Sequence, residues 1–175
     1  GFSSTSATDM SRVSSTVYTY TYTVPSGNGT GTISLSNGVD LASNLIIATP
    51  SNNTFEVDNL SPTATLTYSP DRPYDQGDSV TVTATFDDDM DSNEDVKIAI
   101  SGVSSVAATN MTRTNATTYT YTYTAPAGDG TDTFVLSNGV DLAQNALNTT
   151  PNSNTVEVDN TKPAFSLLNI SNNTS

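Results

Sequence analysis

The sequence predicts an all-β protein made of tandem two-sheet sandwiches, about seven strands to each 101-residue repeat. Two observations carry that expectation. TVYTYTYTVPSGNGT (residues 16–30) returns as TTYTYTYTAPAGDGT (residues 117–131), at an offset of 101 residues without a gap. Within each copy, apolar or aromatic residues alternate with Thr and Ser, the period of a strand with one buried face.

The offset holds along the chain. Met10 and Arg12 match Met111 and Arg113, Asp40 matches Asp141, and EVDN ends at Asn59 and again at Asn160. About half of the overlapping positions are identical. A period this long means repeated domains rather than a solenoid of short units. Residues 1–60 are therefore expected to be the later strands of an incomplete unit. Residues 61–161 form a complete unit, and residues 162–175 the first strand of a following one. The missing strands are expected from the same parent chain outside this segment.

The complete unit reads as strands at residues 63–69, 79–86, 96–100, 103–108 (weak), 118–124, 131–137 and 155–159. Tyr and Thr both favour strands. The turn signals SPDRP, PAGDG and SNG lie between them. No apolar pattern of helical period is long enough for a helix. Seven short strands in about 100 residues is the pattern of an immunoglobulin-like sandwich, so the expected fold class is tandem immunoglobulin-like β-sandwiches. Val80, Val82, Phe86, Ile98, Ile100, Phe134, Leu136, Val156 and Val158 are its expected core.

Composition narrows the function. The formal charge is −13, from 18 acidic and five basic side chains. That argues against nucleic acid and anionic membranes as partners. No apolar run approaches a membrane span. With no His and no Cys there is no Ser-His-Asp triad, no thiol nucleophile and no ordinary zinc site. Paired carboxylates remain, without a second catalytic constellation, and an enzyme is not expected. The abundance of Ser and Thr suits an extracellular surface.

The most charged stretch is FDDDMDSNEDV, residues 86–96. Carboxylates about 4 Å apart repel by roughly 4 kcal/mol at an effective dielectric of about 20. Such a loop splays open or binds a cation, and oxygen-only ligands favour calcium. The EF-hand pattern fails, with Ser92 at the glycine place and Ile98 at the bidentate Glu place. In a sandwich this loop shares an end with NGVDLAQN and with the incoming EVDNLSP. The expected calcium ligands at that joint are Asp58, Asn59, Asp87, Asp89, Asp91 and Asp141. The opposite end is expected to gather Asp71, Asp75, Asp78 and Asp129 near Asp159. Acceptor sequons for N-glycosylation occur at Asn28, Asn52, Asn59, Asn110, Asn115, Asn148, Asn169, Asn172 and Asn173.

VDNLSPTATLTYS, GDSVTVTATF, PAGDGT and NGVDLAQN together resemble the Ig-like repeats of giant prokaryotic surface proteins, such as adhesin stalks and surface-layer proteins. The resemblance covers essentially the whole chain. Such repeats often carry the turn D-x-A-G-N, and here Ser43 and Gln144 stand at the glycine place. The resemblance implies a spacer, rod or filament module at the cell surface, with neighbouring repeats of the same or identical chains as partners. The alternative is an adhesive binding module that holds a glycan or protein through loops at a sandwich tip.

Overall fold

A strand that alternates apolar and hydroxyl-bearing side chains can bury only one face, and stacking two sheets covers both apolar faces at once. The computed structural model of the chain describes residues 4–166. It divides into two compact units, Gly1–Leu60 and Ser61–Ser175.

The first unit contains β1 (Ser11–Arg12), β2 (Tyr18–Thr19), β3 (Gly29–Thr32) and β4 (Thr54–Val57). They form two separate two-stranded antiparallel sheets, β1-β2 and β3-β4.

The second unit contains β5 (Ala64–Ser69), β6 (Ser79–Phe86), β7 (Lys97–Ser101), β8 (Ser105–Asn110), β9 (Thr112–Arg113), β10 (Thr118–Thr124), β11 (Gly130–Ser137) and β12 (Thr155–Val158). They make two four-stranded antiparallel sheets, ordered β5-β6-β10-β9 and β12-β11-β7-β8. Neither closes into a barrel. One core is drawn from both sheets. It includes Leu66, Val80, Val82 and Tyr119 from the first, and Ile98, Ile100, Phe134 and Leu136 from the second. Phe134 meets the rings of Tyr68 and Tyr123 at centroid distances of 5.6 and 5.5 Å. All nine residues expected in the core are buried.

The fold expected from sequence is corrected in two respects. The chain does not hold tandem immunoglobulin-like sandwiches: 175 residues cannot contain two periods of 101, and the described residues of the first unit carry only the two small sheets. Among the described residues the second unit has eight strands, not seven, because Thr112–Arg113 forms an additional edge strand on β10. Two residues are too few to show an alternation. Residues 161–166 carry no strand, and the rest of the expected next strand lies outside the described residues.

Pairing recurs at the repeat offset. Ser11 faces Thr19 and Arg12 faces Tyr18, just as Thr112 faces Thr120 and Arg113 faces Tyr119. Gly29 faces Val57 as Gly130 faces Val158. The lengths differ, for a physical reason. From Tyr121 onward β10 pairs only with β6, and beyond Thr133 β11 pairs only with β7. The corresponding residues 20–23 and 33–36 have no such neighbours and are not strands.

A carboxylate lies between the strands of the second unit. Asp132 on β11 is fully buried. Its carboxylate accepts the Ser104 N–H and the Tyr123 O–H, both at 2.6 Å. Burial, and then the bond to Asp132, push the Tyr123 hydroxyl well above the usual tyrosine pKa. Gly102 lets the chain approach this group. Its φ is +137°, and a Cβ there would strike the Thr131 carbonyl and the Asp132 carboxylate. The first unit has Gly31 at the place of Asp132, under the ring of Phe55.

Candidate metal centre

The acidic loop between β6 and β7 is held against the loop that follows β11. Met90 and Asp141 form an antiparallel bridge. Asp91 N–H donates to the Val140 carbonyl at 2.9 Å, and Leu142 N–H to the Asp89 carbonyl at 3.2 Å. Gln144 Nε2 reaches the Asp91 carboxylate at 3.0 Å.

Asp141 is 1% exposed. Its Oδ1 accepts the Asn145 N–H and its Oδ2 the Asn145 side-chain amide, both at 2.9 Å. The turn so formed puts Gln144 at φ +69°, in the left-handed region that favours glycine. The first unit builds the same turn. Asp40 accepts from Asn44 N–H at 2.8 Å and from its amide at 2.9 Å, with Ser43 at φ +66°. The left-handed geometry is thus present at both places although neither holds a glycine.

Asp88 is exposed, and its Oδ1 caps the Asp89 N–H at 2.7 Å. The ligand oxygens of Asp88 and Asp141 lie within 4.8 Å of each other. Calcium–oxygen bonds of about 2.3–2.6 Å put two ligands of one ion at most about 4.6–5.2 Å apart, so this spacing fits a shared cation. Each carboxylate oxygen keeps acceptor capacity beyond its hydrogen bond. Asp88 and Asp141 can therefore hold a divalent metal, and their all-oxygen chemistry suits a hard cation without singling out calcium.

Most of the other expected ligands are engaged elsewhere. Asp87 caps the Thr63 N–H at 2.7 Å. Asp91 takes the Asn93 N–H and then Gln144, which together hold its carboxyl below the usual value. Asp89 is exposed at the surface of the loop. In the first unit, Asp58 caps Leu60 N–H at 3.0 Å. Asn59 donates its amide to the Gly27 carbonyl, and its N–H to Asn28 Oδ1, both at 2.6 Å. Asp88 was not singled out by the sequence. A run of four acids and a methionine does not reveal which carboxylates the local turns consume.

The far end of the second unit is organised by Asn160 instead of by acids alone. Its side chain donates to the carbonyls of Pro126 and Gly128, its N–H to Asp129 Oδ1 at 2.6 Å, and its Oδ1 accepts Gln76 N–H at 2.7 Å. Asp78 pairs with Arg72 at 2.8 Å. Asp75 caps Gln76, and Asp159 caps Thr161. Asp71 lines a shallow cavity of about 210 Å³ with Tyr68, Arg72, Tyr74 and Glu157. Ligand sites usually offer about 300–1,000 Å³. Here the tyrosine hydroxyls are already bonded to the Ser153 and Pro70 carbonyls, so the cavity has little to offer a sugar.

Several sequon asparagines are also occupied. Asn59 and Asn110 donate their amides, the latter to Asp95 at 2.7 Å. Asn28, Asn115 and Asn148 accept backbone N–H groups through Oδ1. Asn52 sits at φ +57°. Asn169, Asn172 and Asn173 lie outside the described residues.

A pH prediction follows from the repeated turn. The Asn44 side chain and then its N–H hold the Asp40 carboxyl below its ordinary value of 3.8. A depressed folded value contributes stability above the unfolded pKa, and that contribution is lost as pH falls through the folded one. In a carbon-detected NMR titration, Asp40 should titrate below 3.8 and move up in Asn44→Ala. A wild-type midpoint at or above 3.8 would contradict the turn.

No family model, no curated protein and no solved structure matches this chain. Among the described residues, no helix is long and apolar enough to cross a membrane.

Proposed function

We propose that the chain is a non-catalytic structural segment of a rod, stalk or filament in a long extracellular or cell-surface protein, with calcium ordering its acidic turns. The observation that carries this reading is the recurrence of scaffold bonds at the repeat offset. Asp40 and Asp141 close the same turn, and Asn59 and Asn160 clasp the same glycine carbonyl position, Gly27 and Gly128. What the two copies share is the means of holding strands and loops in place. A module selected for adhesion would be expected to set one copy apart by an open site. The small cavity, with its polar groups already paired, does not favour that second reading.

Calcium is the finer part of the proposal. Asp88 and Asp141 supply two carboxylates. Extracellular calcium modules bind at about 0.1–1 mM. At 10 mM calcium and a Kd of about 1 mM, linkage adds about 1.4 kcal/mol, which is roughly 5 °C in a domain of this size. A calcium-dependent rise of that order should appear in thermal melts and vanish in Asp88→Asn. Neither heat on titration nor a change in melting at 10 mM calcium would remove the ion from the proposal. The rod itself is tested separately, by pulling a concatemer of residues 61–161. Equal unfolding steps of about 30–36 nm, the extended length of one repeat, are expected. Unequal or absent steps would count against a load-bearing module.

A further inference from the structure

The outer face of the sheet β5-β6-β10-β9 carries hydroxyl groups in successive cross-strand rows. Thr67, Thr83, Thr120 and Thr112 face one another in turn across all four strands. Thr65, Thr85 and Thr118 make the next row on one side, and Ser69, Thr81 and Thr122 on the other. Directly paired residues share a face of a sheet, so the rows form one surface, turned away from the core. Thr83, Thr118 and Thr120 are half-buried and the rest are exposed. Among the described residues, the only hydroxyl of these rows bonded to the protein is that of Thr65, which Asn152 Nδ2 reaches at 3.5 Å.

The outer face of the other sheet is mixed. Glu157 lies beside Thr131, Ala99 beside Val135, and Lys97 beside Ser137. A chain with 18 acidic side chains and a formal charge of −13 has placed no charge at all in the threonine rows. Strands about 4.7–4.9 Å apart, with a rise of about 3.2–3.4 Å per residue, repeat the same side chain in two directions at once. Each threonine offers a methyl group and a hydroxyl that both donates and accepts. A neutral surface that repeats in two dimensions complements a neutral hydrogen-bonding lattice that does the same.

We infer that the threonine face of β5-β6-β10-β9 binds ice. Water oxygens on the prism faces of ice repeat at spacings comparable to those between and along the strands. A charged mineral surface would find no counter-charge in these rows. A crystalline polysaccharide would find no aromatic platform, because the tyrosines of β5 and β10 pack toward the core. A second copy of the chain would bring its own charge of −13 against this one and bury hydroxyls without assured partners. Sheet twist, about 20–25° between adjacent strands, confines the lattice match to the middle of the face. Thr83 and Thr120, paired at the centre of the four-strand row, are therefore the residues that decide the contact. The inference goes beyond the proposed structural role and depends neither on that role nor on calcium.

The test dissolves the full chain with an inert protein of similar size in calcium-free buffer and grows ice slowly from the mixture. The chain should be enriched in the ice, while the inert protein is pushed into the remaining liquid. Thr83→Lys and Thr120→Lys should each abolish the enrichment. Val135→Lys, on the outer face of the other sheet, should leave it unchanged. Amide signals of β6 and β11 report whether each variant is folded. Thr83→Ser, which keeps the hydroxyl and removes the methyl, should weaken the enrichment and decides the matter where lysine prevents folding. Exclusion of the wild-type chain from ice overturns the inference. So does enrichment that survives undiminished in the folded row variants, or that is lost equally in Val135→Lys. Sedimentation showing self-association of the wild type, absent in Thr83→Lys, overturns it in favour of a second copy as the occupant.

Discussion

Phe134→Ala is expected to lower the unfolding free energy of the second unit by about 3–5 kcal/mol. The side chain has no solvent exposure, faces Ile100 across the β7–β11 ladder, and packs edge-on against Tyr123. Truncation removes transfer energy and leaves a void between two sheets whose backbones are fixed by their ladders. Domains of this size have about 5–15 kcal/mol in all, so urea melts should show a midpoint shift that is a large fraction of the whole. Val135→Ala, one residue on and 39% exposed, should cost less than about 1 kcal/mol. Ile33→Ala tests the same repeat position in the first unit, where exposure is 45%, and should also stay below about 1 kcal/mol. Equal losses at Phe134 and Val135 would mean that the strand phase is wrong.

Asp132→Ala is expected to cost about 2–5 kcal/mol. It strands two buried donors, the Ser104 N–H and the Tyr123 O–H, and each unsatisfied group costs about 1–3 kcal/mol. The double variant with Tyr123→Phe should cost less than the sum of the two singles, because the second change removes a donor the first has orphaned. Additivity in denaturant melts would show that the two groups do not share a bond. Asp132→Asn keeps the acceptor for Ser104 and should fall between wild type and Asp132→Ala.

Much of the second unit was legible because its chemistry is periodic. In β6 the buried residues Val80, Val82, Ala84 and Phe86 alternate strictly with Thr, and the strand runs from Ser79 to Phe86 as its pattern reads. Thr112–Arg113 was not legible, since its identity as a strand comes from β10 alongside it and not from its own two residues. The tandem fold failed for a related reason. A repeated sequence specifies the same local turns and hairpins, but a covered core also needs the partner strands, and residues 1–60 do not include them. In the candidate centre, the meeting of the acidic loop with the Asp141 turn followed from topology. The choice of Asp88 over Asp87 did not, because it depends on one backbone N–H, that of Thr63, which claims Asp87 first.

The two left-handed turns carry a consequence for reading other copies of this repeat. An L-residue in that conformation costs roughly 1–2 kcal/mol that glycine avoids. Gln144 offsets part of the strain by reaching Asp91, so the side chain fastens one loop to the next while the backbone stays bent. Glycine in its place would relax the bend and release the fastening. Ser43 is too short for such a reach and holds the same bend. The residue at this single position therefore serves as a local label: a long amide marks a copy whose acidic loop is tied down, and a short side chain marks one whose loop must be held by other means. Sequence drift between half-identical copies then records neighbourhood, and a string of repeats can be read for which loops are braced before any of them is solved.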